Sequence, residues 1–145
     1  MIEIDQSGKV EDTNKLTVVA FSNGKIKSLQ ISAREKQKLV KAMRGIDHPK
    51  QVFIFKIFAC LIFLLINSEK EEYITIDKEY PGHEAIIKGM ILSLFYKIKN
   101  KAPDIMFAEI GKKSMAHKTA IAIFRKERKA DIIIRADDII KLLYK

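Results

Sequence analysis

One apolar run constrains this chain more than any other feature of its sequence. Val52–Ile66 reads VFIFKIFACLIFLLI, with a single charged residue, Lys56. The run is shorter than the roughly 20 apolar residues that a transmembrane helix needs, and slightly longer than the roughly 10–14 typical of a buried core helix. We therefore expect a helix at the centre of a globular domain, with Lys56 reaching water or an acidic partner. A membrane anchor is the alternative that this run leaves open.

The length and the cysteine count limit the remaining possibilities. A chain of 145 residues is enough for one domain with a real core, so we expect a single domain over residues 1–145. The one cysteine, Cys60, excludes an internal disulfide and a cysteine-cluster zinc site. We expect Cys60 to be a small core residue rather than a reactive thiol. Together with an N-terminal sequence that has no apolar signal region, this favours the cytoplasm.

The charge balance points to a polyanionic partner. Lys and Arg number 27 against 18 Asp and Glu, so the formal net charge is +9. A surplus of this size favours nucleic acid or an acidic membrane face as the partner. A lysine-rich surface that only keeps the protein in solution is the alternative.

The first part of the chain predicts an antiparallel meander of three strands. Residues 2–5, 16–21 and 25–31 are strand-like, and the second and third are joined by Asn23-Gly24, a strong hairpin signature. Gln6-Ser7-Gly8-Lys9 is typical of a turn after the first strand.

From Ser32 onward the pattern changes to helices that alternate with strands. Ser32 and Glu35 form a capping box for a helix that Gly45 ends. The later predicted elements are the apolar helix with Pro49 near its first turn, a strand over 72–77, a helix from Pro81 to about Lys99, a strand over 104–110, a helix from about Ser114 to Lys129, a strand over 131–134 and a final helix capped by Asp137. This order predicts an α/β fold with a mixed central sheet covered by helices on both faces.

Two aspartates end predicted strands. Asp5 closes IEID, and Asp77 closes ITID. If the first and fourth strands are parallel neighbours, both carboxylates lie in one crevice, where they repel each other unless a cation lies between them. Hard oxygen ligands of this kind suit Mg²⁺ or Mn²⁺. For Asp5 the alternative is a turn residue that binds the backbone amide of Ser7 or Gly8.

Two glutamates lie near the second of these strand ends. We rank Glu84 ahead of Glu79 as the acid that completes the metal site, because Glu84 lies at a helix start expected to face the crevice. The helix dipole also explains an acid at that position. His83, next to it, is expected to be a surface residue.

A third candidate element is the segment IGKKSMAHKTA at residues 110–120. His117 lies in the first turn of the helix that follows Gly111. Backbone amides at a helix start favour an anion, and Lys112, Lys113 and Lys118 strengthen that preference. The spacing of a P-loop is absent, so nucleotide hydrolysis of that kind is not supported.

The order of these elements resembles the ribonuclease H-like superfamily, which includes integrases, resolvases and Argonaute-type nucleases. In that superfamily one acid lies on strand one, a second ends strand four, and a third Asp, Glu or His comes from a late helix. Asp5, Asp77 and His117 match these places. The chain departs from the pattern in its first helix, where Glu35 is the only early acid, and in its additional last strand and helix.

The resemblance implies a nuclease that uses Mg²⁺ or Mn²⁺. Two ions would bridge Asp5 and Asp77, activate water and stabilise the leaving oxygen of a phosphodiester in DNA or RNA. His117 would be a third ligand or a proton carrier. Lys9, Lys112, Lys113 and Lys118, together with the lysine-rich segment KNK at 99–101, would hold backbone phosphates.

Three alternatives stay open at this point. The first is a non-catalytic module on the same fold that binds nucleic acid or protein. The second is a phosphate binder of the sugar-kinase and actin type, although that superfamily needs two such domains. The third is a membrane-associated protein, which rests on the apolar run Val52–Ile66. As a partner, a second copy of the chain stays open, with the apolar helix in the interface of a homodimer. Stacking of single-stranded bases is not indicated, because no basic patch with interleaved aromatic residues is present.

Overall fold

The computed structural model describes residues 2–46 and 51–145. The predicted role of Pro49 lies outside the described residues. The elements are β1 (Ile2–Ser7), β2 (Thr17–Ser22), β3 (Ile26–Ile31), α1 (Ala33–Arg44), α2 (Gln51–Ile66), β4 (Tyr73–Asp77), α3 (Glu84–Lys97), β5 (Asp104–Ala108), α4 (Met115–Phe124), β6 (Ile132–Ile134) and α5 (Ala136–Tyr144).

The six strands form one mixed sheet in the order β5-β4-β1-β2-β3-β6. β1, β2 and β3 pair antiparallel, whereas β4 pairs parallel with β1, β5 with β4 and β6 with β3. The structure thus confirms the α/β class, the mixed sheet, the opening meander and the parallel pairing of the first and fourth strands.

The apolar helix α2 is the centre of the core. It packs on β2 and β3 and also contacts α3 and α5. Side chains around most of its circumference are buried, Phe58 and Leu61 among them, which confirms the prediction of a core helix against the sheet. Lys56 lies near the helix surface, with Nζ 6.0 Å from the centroid of the Tyr144 ring. Among the helices of the described residues, none combines the length and apolar character needed to cross a membrane.

Cys60 lies on α2 and is fully buried. Burial raises the pKa of its thiol to about 12, so the thiolate does not form near neutral pH. This confirms the prediction of a core residue without nucleophilic character.

The two faces of the sheet are covered unequally. Val19 and Phe21 of β2 face the core built around α2, whereas Val18 and Ala20 face α4. α4 packs on β1, β2 and β3. On the same face of β4 and β5, Tyr73 is 53% exposed and Met106 is 58% exposed. The predicted cover on both faces is therefore partial, and α4 stops beside an open strip of sheet.

The first strand is longer than predicted. Gln6 and Ser7 pair with Val19 and Val18 and continue β1, so Asp5 lies inside the strand and not at its end, and the predicted turn over 6–9 is wrong in its first half. The chain leaves the strand at Gly8, where φ is +80°. A Cβ at this position would meet the Leu16 carbonyl oxygen and the Phe124 ring.

Two helix boundaries also differ from prediction. α3 begins at Glu84 and not at Pro81, because Gly82 has a φ of +86° that a helix excludes. α4 ends at Phe124 and not near Lys129, since Lys126 adopts a φ of +63°.

The predicted helix caps are partly right. Ser32 Oγ accepts the Glu35 N–H at 3.1 Å as expected, but Glu35 Oε1 accepts the Ala136 N–H at 3.0 Å, which ties α1 to the start of α5. At that start the predicted cap, Asp137, is wrong. The neighbouring carboxylate of Asp138 accepts the Arg135 N–H at 2.8 Å.

Candidate metal centre

Three carboxylates converge at the boundary between α4 and the open strip of sheet. Each of Asp5, Asp77 and Glu79 offers one oxygen that lies within 4.8 Å of the others. Ile4 of β1 pairs with Ile76 of β4, so the following residues, Asp5 and Asp77, are neighbours on one face. Ligands on opposite sides of one ion lie about 4–5 Å apart, because each bond is about 2.0–2.6 Å. The three oxygens are therefore close enough to bind one divalent ion.

Asp77 is oriented by the segment that follows β5. Its Oδ1 atom accepts the Ile110 N–H at 2.9 Å, and the neighbouring Lys78 N–H donates to the Ala108 carbonyl at 3.2 Å. One carboxylate oxygen is thus occupied by a backbone amide. The orientation of Asp77 is set by the end of the strand next to its own.

Asp5 is buried and held on both of its oxygens. Oδ1 accepts the N–H of Gln6 at 2.8 Å, and Oδ2 lies 2.7 Å from Nδ1 of His117. The amide contact is to Gln6 and not to Ser7 or Gly8, because the strand continues past Asp5. Burial raises the pKa of Asp5, and the hydrogen bonds from Gln6 and His117 offset part of that increase.

Glu79 is the most strongly perturbed acid of the cluster. Burial, and after it the negative charges of Asp77 and Asp5, raise its pKa to about 7. The positive charge of Lys9 partly offsets this rise. Like charges placed this closely repel each other, and a cation between them removes the repulsion. The electrostatics of the cluster therefore favour a bound cation.

His117 connects the buried carboxylate of Asp5 to solvent. It lies in the first turn of α4, as predicted, and its side chain is 29% exposed. An ionised Asp5 can only accept, so Nδ1 of His117 donates to it, and in the neutral form of the imidazole the lone pair is on Nε2. That nitrogen can bind a metal ion or take a proton.

A second polar contact fixes the start of α4 on the sheet. Ser114 Oγ accepts the Ala116 N–H at 3.2 Å and donates to Glu3 Oε1 at 3.0 Å. Glu3 and Asp5 are two residues apart on β1, so their side chains lie on the same face of the sheet. Ser114 and His117 are one helical turn apart. Sequence analysis missed Glu3, although the period of two along the strand is a pattern that could have indicated it.

The structure does not bring Glu84, the higher-ranked glutamate, into the cluster. Both of its carboxylate oxygens lie 3.1 Å from the Gly82 N–H and accept from it, so Glu84 belongs to its own helix start. The third acid of the cluster is Glu79, which had been ranked second. His83 stacks on the Phe55 ring, with ring centroids 4.3 Å apart.

The four predicted lysines are all exposed. Lys112 and Lys113 are exposed in the loop before α4, and Lys118 is exposed on that helix. Lys9 is exposed in the loop after β1, and its charge acts on Glu79. These positions allow contact with a polyanion.

Tyr80 is a further residue that sequence analysis missed. Its hydroxyl oxygen accepts from Gln6 Nε2 and from the Val10 N–H, each at 3.3 Å, and the hydroxyl donates to Glu11 Oε1 at 3.2 Å. No local pattern could have indicated these contacts, because the partners are about seventy positions away in the chain.

Comparison of the chain with protein-family models, with curated protein sequences and with solved structures finds no match.

Proposed function

We propose that this chain is a metal-dependent nuclease-like domain that hydrolyses phosphodiester bonds of nucleic acid. The observation that carries the proposal is the cluster of Asp5, Asp77 and Glu79, whose oxygens lie within 4.8 Å of one another beside an open strip of sheet. Carboxylate oxygens are the ligands that Mg²⁺ and Mn²⁺ prefer, so we propose one of these ions as the cofactor.

The arrangement of elements supports a ribonuclease H-like architecture for the proposed domain. An antiparallel meander is followed by a fourth strand parallel to the first. Acids lie on these two adjacent strands, and His117 comes from a later helix and contacts the first acid. Each of these features agrees with the expectation that the resemblance raised.

The residues in and around the cluster have separate roles in the proposed reaction. Asp5, Asp77 and Glu79 would hold the ion, which would supply activation of water and stabilisation of the leaving oxygen. The backbone amides of Gln6 and Ile110 fix the orientation of the two aspartates. His117 holds Asp5 through Nδ1, and its Nε2 takes or delivers a proton near the leaving group.

The surface around the cluster suits a polymeric anion. The net charge of +9 favours phosphate contacts, and Lys9, Lys112, Lys113 and Lys118 are exposed.

A cleavage assay tests the proposal. Labelled duplex DNA, duplex RNA, hybrid and single strands are incubated with the protein in Mg²⁺ or Mn²⁺, with Asp77→Asn as the control variant. We expect cleavage of at least one substrate by the wild type and none by the variant, which keeps the acceptor for the Ile110 N–H. Cleavage that the variant retains, or no cleavage of any substrate, contradicts the proposal.

A non-catalytic nucleic-acid-binding module is the second candidate function. It is favoured by the first helix, where the only early acid, Glu35, is engaged by the Ala136 N–H and by Lys38. A fourth acidic ligand from that helix is therefore not offered to the cluster. Steeply salt-dependent binding without cleavage in either metal would select this candidate.

A further inference from the structure

The loop between β1 and β2 is held by a buried lysine. Lys36 of α1 is fully buried, and its ammonium donates three hydrogen bonds. The acceptors are the carbonyl oxygens of Lys9 at 3.2 Å and Asp12 at 2.6 Å, and Oγ1 of Thr17 at 3.0 Å. Two of these acceptors lie within the loop and one at the start of β2, so a single side chain joins three points of the backbone.

Tyr80 holds the same loop from the other side. Its hydroxyl accepts the Val10 N–H and donates to the Glu11 carboxylate. The aromatic ring packs edge-on against Phe58 of α2, with ring centroids 5.1 Å apart. Val10 and Glu11 thus lie between two anchors that both belong to the core.

Fixing a loop with a buried ammonium group costs desolvation free energy. Removing the charge from water is unfavourable unless every donor finds an acceptor, and Lys36 meets that requirement with its three oxygens. A methionine side chain of similar length could fill the same space but has no group that donates a hydrogen bond. The three hydrogen bonds of Lys36 therefore fix the conformation of the loop more strongly than apolar packing at this position would.

The loop also determines the position of Lys9 relative to the acidic cluster. The carbonyl of Lys9 is bound by Lys36, while its own side chain is exposed. The next residue, Val10, donates its N–H to the hydroxyl of Tyr80, which directly follows Glu79 in the chain. The positive charge of Lys9 acts on Glu79. The exposed ammonium of Lys9 is thus placed on the same side of the molecule as the candidate metal centre.

We propose that Lys36 is a positioning residue that fixes the β1–β2 loop so that the Lys9 ammonium binds a backbone phosphate of the nucleic acid next to the Asp5–Asp77–Glu79 cluster. This inference rests on the proposed function and assigns a residue pair to its substrate binding. Lys9 contacts the phosphate, and Lys36 acts only through Lys9.

The test measures the salt dependence of oligonucleotide binding by fluorescence anisotropy, with Ca²⁺ as the divalent ion. The variants are Lys9→Met, Lys36→Met and the double variant, and the matched control is Lys38→Met, which removes an exposed charge from the same helix. Loss of one phosphate contact reduces the slope of log Kd against log salt by about 1. We expect this reduction in each single variant, no further reduction in the double variant, and an unchanged slope in the control.

Amide hydrogen exchange supplies a second readout that needs neither metal nor nucleic acid. Lys36→Met should accelerate exchange at Asp12, whose N–H donates to the Lys9 carbonyl at 3.1 Å. If Lys36→Met does not fold, Thr17→Val removes one acceptor without changing the volume, and it should shift the slope and the exchange in the same directions.

The outcomes separate the two claims. A wild type that binds no oligonucleotide contradicts the proposed function and with it the role of Lys9. Binding in which Lys36→Met leaves the slope and the exchange unchanged contradicts the role of Lys36 alone. A double variant whose slope falls by about 2 shows two independent contacts and also overturns it.

Discussion

Nδ1 of His117 lies 2.7 Å from Oδ2 of Asp5, and this contact joins the helix that covers one face of the sheet to the buried carboxylate of the candidate metal centre. Asp5 is almost inaccessible, whereas the imidazole is 29% exposed. Because the other Asp5 oxygen accepts the Gln6 N–H, the carboxylate is held from two sides. A ligand oriented in this way needs little reorganisation when a cation binds.

The contrast between two nearby glutamates gives the first prediction. Glu79→Gln removes an acid of the cluster, whereas Glu84→Gln changes one that binds the Gly82 amide. A metal that binds only the folded state stabilises it, by about 2.7 kcal/mol at a concentration 100 times Kd. We expect Mn²⁺ to raise the Tm of the wild type and of Glu84→Gln by several degrees, and to raise that of Glu79→Gln much less. Equal shifts in both variants, measured by differential scanning fluorimetry, would show that Glu79 is not a ligand.

The second prediction concerns the hydrogen bond between His117 and Asp5. His117→Asn shortens the side chain and loses the contact that orients Asp5. Partners that orient metal ligands typically contribute about 10–100-fold in affinity, so we expect Mn²⁺ to bind more weakly by about that factor but not to be lost. Electron paramagnetic resonance titration of free Mn²⁺ measures this. If His117→Asn binds Mn²⁺ with wild-type affinity, the imidazole does not contribute to metal binding.

The buried ammonium of Lys36 gives a pH-dependent prediction. Burial lowers its pKa from 10.5 to about 8, against the opposing attraction of Asp12 and Glu11. The unfolded chain therefore binds more protons than the folded protein between about pH 8 and 10.5, and this group makes stability increase with pH in that window. At pH 7, Lys36→Met should be less stable by about 1–3 kcal/mol, because three oxygens lose their donor.

The wild type should gain stability relative to Lys36→Met between pH 8 and 10. Urea unfolding of both proteins at several pH values checks this, and Lys38→Met controls for the loss of one positive charge from α1. A difference in unfolding free energy that stays constant over the window would mean that the pKa of Lys36 is not lowered.

Two glycines with positive φ provide a matched pair of substitutions that tests how tightly the chain packs at each turn. Gly8 has a φ of +80°, and a Cβ there would meet the Leu16 carbonyl oxygen and the Phe124 ring. Gly24 has a φ of +97°, with nothing within 4 Å of an added Cβ. Gly24→Ala should destabilise by about 1–2 kcal/mol from backbone strain alone, and Gly8→Ala by clearly more. Chemical denaturation measures both, and equal losses would mean that the chain relaxes around Gly8 freely.

The sequence predicts helices and strands well wherever the signal, hydrophobic periodicity or a turn motif, lies within neighbouring residues. The Asn23-Gly24 hairpin, the core role of α2 and the Ser32 cap follow from neighbouring residues and are confirmed. The errors come from contacts with distant parts of the chain. β1 continues past Asp5 because β2 pairs with Gln6 and Ser7, and Glu35 turns away from its own helix because the Ala136 amide competes for its carboxylate.

The candidate site could be predicted in part for the same reason. Asp5 and Asp77 were placed together by the assumption that their strands are parallel neighbours, which the pairing of β1 with β4 confirms. The choice between Glu79 and Glu84 depended on where the chain turns after β4. The positive φ of Gly82 delays the helix, and the Glu84 carboxylate accepts the Gly82 N–H. Glu79, two residues after Asp77, lies beside the aspartates.

Diffraction from crystals soaked in Mn²⁺ tests the central claim most directly. Anomalous scattering locates manganese without any assumption about activity, and crystals of Asp77→Asn treated in the same way provide the control. We expect an anomalous peak within about 2.0–2.6 Å of oxygens from Asp5, Asp77 and Glu79 in the wild type, and none at that position in the variant. Wild-type crystals in which the cluster binds no manganese, or a peak that persists in Asp77→Asn, would contradict that claim.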